Sequence, residues 1–118
     1  MSVARRISEG SFLTDTQLES LALYQRVLAG ELSWKEAAKS RARGPVTVGA
    51  CFRVVGQAKK NVKSSILTVV TALWLGYIKV EDVRRLFELV GRGSVELSEE
   101  EADQFLGVLR ALVDRIVL

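Results

Sequence analysis

The stretch VTVGACFRVVGQAKKNVKSSILTVVTALWL, residues 46–75, decides the fold. From residue 57 onward its apolar residues recur at helical spacing, which predicts a helix over residues 57–75. Residues 46–55 alternate as a strand would, but they can also form the first turns of a helix with Thr47 as N-cap. We favour the helix because residues 46–55 run without a breaker into residue 57, although Gly49 and Gly56 each weaken it by about 1 kcal/mol relative to alanine.

The longest apolar run lies inside this stretch and reaches beyond it, as SSILTVVTALWLGYI between Lys63 and Lys79. Fifteen helical residues cover only about 22 Å. The hydrocarbon core of a bilayer needs about 30 Å. The run therefore predicts a buried core helix, with Trp74 and Tyr77 in structural positions, and no membrane span.

Capping-box motifs mark the starts of three more helices, at Thr14, Ser33 and Ser98, because Gln or Glu follows each of them three residues later. Gly30 ends the first of these helices. Gly44 and the proline after it end the second, since glycine is the favoured residue just past a helix end and proline cannot continue the helix.

The remaining segments complete a mainly α fold. A short amphipathic helix is predicted over residues 81–90, a turn with room for a short strand over 91–97, and a strand or flexible arm within 1–13. With 118 residues, 48% hydrophobic and 26% charged, the chain is expected to form one compact multi-helix domain over 1–118. The alternative is an α+β fold with residues 46–55 as a strand.

Several chemical classes are disfavoured by composition. The chain has no histidine and one cysteine, Cys51, so it lacks a His-based general acid or base, an intrachain disulfide and every multi-Cys metal site. Cys51 fits an apolar filler in the core. We therefore expect no enzymatic activity, no cofactor and no metal. The first residues lack the apolar segment of a secretory signal, and a cytoplasmic protein is expected; the low amide content leans towards a thermophile.

Charge is segregated along the chain. The formal net charge of +3 hides a net charge of −1 over residues 1–34, +7 over 35–63 and −3 over 64–118, counted on the same sequence. The central block holds eight basic residues and one acidic residue. Such a block attracts phosphate backbones through the release of counterions.

The candidate nucleic-acid-binding residues come from this block, with Trp34 beside it as a candidate stacking platform. They are Lys39, Arg41, Arg43, Phe52, Arg53, Gln57, Lys59, Lys60 and Lys63. Simpler roles stay open. The arginines after residue 40 suit a helix C-terminus, and Phe52 suits a core position. Lys59, Lys60 and Lys63 suit a solvated face, or a pairing with the acidic C-terminal half of a neighbouring subunit.

The last helix carries an apolar seam that reaches almost to the C-terminus. The seam residues are predicted to mediate self-association into a dimer or tetramer, and they are Phe105, Leu109, Leu112 and Ile116. The alternative is that this helix closes the core of a monomer.

The segment from Gly44 to Val90 and the last helix resemble the ThermoDBP-like archaeal single-stranded DNA-binding proteins and their shorter relatives. The similarity spans about Leu18 to the C-terminus, and its most specific parts are PVTVG…FRVV..A…N and LGYIK.EDVRRLFELV. The resemblance implies an oligomeric, non-OB domain that binds single strands in a cleft of exposed apolar and flanking basic residues. Phe52 would be an apolar contact, and the basic contacts would be Arg53, Lys59, Lys60 and Lys63. The longer relatives carry an extra C-terminal zipper, and we expect this chain to lack it.

Three functions are compatible with these features. The leading hypothesis is a non-catalytic protein that binds single-stranded DNA, or RNA, with little sequence preference. The second is a helix-turn-helix regulator of duplex DNA, with residues 33–40 as its first helix and 47–55 as its recognition helix. The third is a protein-interaction scaffold whose cationic block docks on an acidic partner.

Overall fold

A computed structural model describes residues 2–92 and 97–117 and is mainly helical, as predicted. The described residues form six α-helices and no strand. The helices are α1 (Ser2–Ser8), α2 (Asp15–Leu28), α3 (Trp34–Lys39), α4 (Val48–Leu75), α5 (Val80–Arg92) and α6 (Glu99–Ile116).

The ambiguous stretch is helical. α4 begins at Val48, and the Thr47 hydroxyl accepts a hydrogen bond from the Ala50 backbone amide at 3.1 Å, which satisfies a donor that the helix itself leaves unpaired. The helix prediction for residues 46–55 is thus confirmed from Val48 onward, and the α+β alternative is wrong. The short strand considered near the N-terminus is also wrong, because α1 occupies Ser2–Ser8; the flexible arm over residues 1–13 stays a prediction.

The predicted helix starts are confirmed by their caps. At Thr14 and at Ser33 both halves of the capping box form, with donor–acceptor distances of 3.1 to 3.2 Å. Ser98 accepts from the Glu101 amide at 3.2 Å. α3 ends at Lys39, earlier than predicted. Most of the turn predicted over 91–97 lies outside the described residues, and its first two residues belong to α5.

The chain divides by packing into two compact units, Met1–Ser64 and Ser65–Leu118. In the first unit, the buried apolar side chains come from three helices and are Leu23, Ala37, Ala38, Cys51, Val55 and Ala58. The second unit is built around α6, which packs against α5. Its buried side chains are Ala102, Leu106, Leu109, Leu112 and Ile116.

The prediction of a buried core helix over the apolar run is wrong for the second half of α4. Trp74 is 89% exposed, and Ile66, Leu67, Val70 and Tyr77 are also exposed. An apolar segment is expected to be buried, but its sequence does not show whether other residues of the same chain bury it. Among the described residues, none of the helices combines the length and the apolarity that a membrane crossing requires.

The residues of the predicted self-association seam are mostly covered within the chain. Leu109, Leu112 and Ile116 are buried within the chain, and Phe105 is half-buried. These side chains contribute to the core of the second unit, while Val108 and Val113 on the same helix are exposed. The burial favours closure of the core within one chain, and self-association through α6 stays a prediction.

Candidate nucleic-acid interface

Three aromatic side chains from three different helices meet in the first unit. The ring of Trp34 on α3 lies 5.3 Å from the ring of Tyr24 on α2 in a stacked arrangement, centroid to centroid. The ring of Trp34 also contacts the ring of Phe52 on α4. The centroids of these two rings lie 3.9 Å apart, and their planes are tilted by 32°. Such aromatic contacts stabilise a structure by about 0.5–1.5 kcal/mol beyond area burial. We call Tyr24, Trp34 and Phe52 the aromatic cluster.

The aromatic cluster is open to solvent on the side of Phe52. Phe52 is 49% exposed, while Trp34 and Tyr24 are half-buried. The phenyl ring of Phe52 contacts a half-buried indole and keeps about half of its area in water, so it is supported without being covered. It can therefore accept another planar group at little cost in side-chain entropy.

Lys59 ties the cluster to the basic part of α4. Its Nζ lies 4.3 Å above the centre of the Tyr24 ring and donates a hydrogen bond to Tyr24 Oη at 3.0 Å. A cation over an aromatic face contributes about 0.5–1 kcal/mol at an exposed site. Lys59 therefore has a structural contact within the chain, and it is less free to follow a phosphate than the other lysines of α4.

Helical spacing aligns Phe52 with the cations that follow it. Residues three, four or seven apart lie on the same side of a helix, so Lys59, Lys60 and Lys63 follow Phe52 along one side of α4. Arg53 and Gln57 form the adjacent row, and both are exposed. We call Phe52, Arg53, Gln57, Lys60 and Lys63 the α4 surface.

Gly56 lies between Phe52 and the lysines on this side of α4. It carries no side chain, and apart from the adjoining residues and the backbone of its own helical turns, nothing lies within 4 Å of a Cβ atom placed there. The helix backbone is thus uncovered next to the exposed ring. A planar group that stacks on Phe52 would have room to extend along α4 towards Lys60.

Nine of the eleven basic residues of the first unit fall into two groups, and the other two are Arg6 and Lys59, whose contact with Tyr24 is described above. Arg5 pairs with Asp15, Arg26 with Glu31, and Arg41 with Glu19. A second group makes no ion pair within the described chain, and its members are Lys35, Lys39, Arg43, Arg53, Lys60 and Lys63. The first unit holds eleven basic and five acidic residues, a net charge of +6, against −3 for the second unit. The charge segregation seen along the sequence therefore separates the two units.

Arg41 differs from the other predicted nucleic-acid-binding residues, because its side chain is largely buried. Its side chain is only 10% exposed, and its Nε lies 3.5 Å from Glu19 Oε1. Both carboxylate oxygens of Glu19 also accept from the Ala42 backbone amide at 3.2 Å. Arg41 thus holds the segment after α3 against α2, whereas Arg43 remains exposed.

Three sets of contacts around the α4 surface could not be predicted from the sequence. Nothing local connects Tyr24 to Lys59, which lies 35 positions later, or Glu19 to the segment after α3. Hydrogen bonds from the Asn61 amide group to Phe12 O at 3.3 Å and to Gln17 Oε1 at 3.1 Å likewise join α4 to the start of α2. Only the tertiary fold brings these groups together.

No cluster of three or more acidic or cysteine side chains that could hold a metal ion occurs in the ranges 2–92 and 97–117. The thiol of Cys51 is buried. Comparison of the chain with protein-family models, with curated proteins and with solved structures returned no match.

Proposed function

We propose that this protein is non-catalytic and binds single-stranded nucleic acid, with DNA as the expected ligand. It binds through the first unit and with little sequence preference. One observation carries the proposal: the half-exposed ring of Phe52, fixed on Trp34, shares a helix with the unpaired cations Arg53, Lys60 and Lys63. The resemblance to ThermoDBP-like proteins points to the same class.

The binding mode follows from the two kinds of group on the α4 surface. The cations follow the phosphates and supply affinity that depends on salt but not on sequence. Phe52 offers a ring face on which any base can stack, and stacking contributes about 1–3 kcal/mol per base. Only an unpaired strand exposes base faces, so this combination favours a single strand over a duplex.

A helix-turn-helix reading is less well supported. Residues 40–47 separate α3 from α4, which is longer than the turn of about 3–4 residues in that motif. The would-be recognition helix offers Val48, Phe52 and Val55, but Val55 is buried and Phe52 packs on Trp34. Arg53 alone would face the base edges, whereas base readout relies on several Arg, Asn or Gln side chains.

The proposal is tested with Trp34 as the reporter. The chain has two tryptophans, so the variant Trp74→Phe leaves Trp34 as the only one. We expect a single-stranded oligonucleotide to change its fluorescence in a saturable titration. Phe52→Ala in that background should weaken binding by about 5-fold to 150-fold, the equivalent of one stacked base at 1–3 kcal/mol.

Phe12→Ala is the matched control, because Phe12 is an 83% exposed aromatic residue of the same unit outside the α4 surface. Its affinity should equal that of the parent. Competition with duplex DNA at fixed salt completes the experiment. Preference for the duplex would favour a regulator, and the absence of salt-dependent binding to any nucleic acid would favour a scaffold for an acidic protein partner; either result refutes the proposal.

A further inference from the structure

A groove lies between α5 and α6 within the second unit, and none of its residues belongs to the α4 surface. Its volume is about 400 Å³. α5 contributes Arg85, Glu88, Leu89 and Arg92 to its lining, and α6 contributes Val108, Ala111, Leu112 and Arg115. On each helix these residues are spaced as i, i+3, i+4 and i+7, so each helix supplies one stripe about 10 Å long. We call this feature the α5–α6 groove.

The floor of the α5–α6 groove is apolar. Leu112 is buried and Leu89 is half-buried, while Val108 is 56% exposed and Ala111 is exposed as well. The groove therefore keeps apolar area in contact with water directly above the core of the second unit. An apolar side chain that displaces this water gains free energy in proportion to the area that it buries.

Three exposed arginines surround this floor. Arg85 Nη1 lies 3.6 Å from Asp82 Oδ1, whereas Arg92 and Arg115 make no ion pair within residues 2–92 and 97–117. Arg92 and Arg115 each lie in the last turn of a helix, where the helix dipole favours a cation. The dipole accounts for two of the positions, but it does not account for the convergence of all three arginines on one apolar groove.

The α5–α6 groove is positive within an acidic unit. The second unit has six basic and nine acidic residues, and three of the six but only one of the nine, Glu88, line the groove. The lining thus carries a net charge of +2 and the rest of the unit −5. A short ligand with a few carboxylates matches this pattern, whereas a nucleic-acid strand that continued past the groove would meet a surface of its own sign.

We propose that the α5–α6 groove binds an acidic amphipathic helix of a partner protein. Such a helix enters a groove with apolar residues at i, i+3, i+4 and i+7, and its flanking carboxylates accept bidentate hydrogen bonds from the arginines. Sites for small molecules enclose most of their ligand, but this groove is open to solvent and its arginines are exposed. The proposal does not depend on nucleic-acid binding.

The probe is a fluorescein-labelled synthetic helix with leucine at i, i+3, i+4 and i+7 and glutamate on both flanks. A second peptide has lysine in place of every glutamate and keeps the leucines. In fluorescence anisotropy titrations at fixed salt, we expect saturable binding of the glutamate peptide to wild type. The lysine peptide should bind about 10-fold more weakly or worse, because it loses three ion pairs and adds repulsion.

Two variants test the charge of the groove. Arg85→Gln/Arg115→Gln should weaken binding of the glutamate peptide by about 2-fold to 30-fold, the loss of two exposed ion pairs. Lys79→Gln/Arg84→Gln removes the same charge from exposed residues that do not line the groove, and it should bind as wild type does. Glu88→Gln should strengthen binding by about 1.4-fold to 5-fold, because it removes the one carboxylate of the lining.

Ala111→Glu tests the floor, because it places a charge on the apolar surface of α6 and should abolish binding. Gln104→Glu is its control, since it adds the same charge at an exposed residue of the same helix outside the groove. Circular dichroism should show equal helix content in every variant. The gain expected for Glu88→Gln keeps the test decisive even where a variant designed to lose binding fails to fold.

Equal affinity for the two peptides would overturn the proposal, and so would equal losses in the groove variants and their controls. Unlabelled competitors give the last readout. If adipate, a small organic dianion, or single-stranded oligothymidylate displaced the probe at a lower concentration than the unlabelled glutamate peptide, a small anion or a nucleic acid would be the better ligand, and the proposal would be wrong.

Discussion

Neutralising the unpaired cations of α4 is expected to change the salt dependence of binding, not only its strength. The variant is Arg53→Gln/Lys60→Gln/Lys63→Gln, which removes three of the six unpaired basic residues of the first unit. For single strands, log K falls with log salt with a slope of about −0.7 per phosphate neutralised. If all six contact phosphates, the slope is about −4 per chain, and the triple variant lowers it to about −2.

These slopes predict a difference that is easy to measure. Between about 50 and 200 mM salt, wild type should lose roughly 300-fold in affinity and the triple variant roughly 20-fold. The assay is fluorescence anisotropy of a labelled oligothymidylate, which forms no secondary structure, at several salt concentrations. The three side chains are exposed and make no ion pair in the described chain, so the thermal unfolding temperature should change little.

The matched control removes the same charge from the second unit, as Lys79→Gln/Arg84→Gln/Arg115→Gln. These side chains are exposed as well, and the net charge of the chain falls by the same three. If binding responded only to total charge, both triple variants would lose affinity alike. Equal slopes in wild type and the α4 variant, or equal losses in both variants, would refute the reasoning that places binding on α4.

Stability measurements by chemical denaturation test three other features of the fold. Glu19→Gln should cost about 1–3 kcal/mol, because it breaks a charge-assisted contact with the largely buried Arg41. Asp15→Asn should cost under about 1 kcal/mol, because its ion pair is exposed; equal losses would contradict the role of Glu19. Gly107→Ala, inside α6 with open space around it, should stabilise by about 0.5–1 kcal/mol. Gly30→Ala should destabilise, because φ is +76° there.

The helices with local start signals could be predicted from the sequence, and the reason is physical. A capping box at Thr14 or Ser33 is satisfied by residues three positions away, so the motif contains the whole interaction. The structure of residues 46–55 was harder to predict, because their apolar residues fit both the alternation of a strand and the spacing of a helix. The helix was favoured because these residues run without a breaker into the rest of α4.

The candidate site could be predicted only in part. The basic residues of α4 are visible in the sequence, and most of them are exposed as expected. The tertiary contacts of the site are not visible: Trp34 contacts Phe52 across 18 positions, and Arg41, in the segment after α3, is paired with Glu19 of α2. Likewise, the apolar run predicts that Trp74 is buried, but the sequence does not show whether the same chain or another molecule buries it.

The shared helix has a consequence for how this molecule is divided. α4 runs from Val48 to Leu75, and the boundary between the compact units falls between Ser64 and Ser65, inside it. A cut at that boundary would open a continuous ladder of backbone hydrogen bonds and leave new, uncapped helix ends on both pieces. The two units therefore share one helix, and a fragment that carries the first unit must keep the whole of α4 to avoid a new, uncapped helix end.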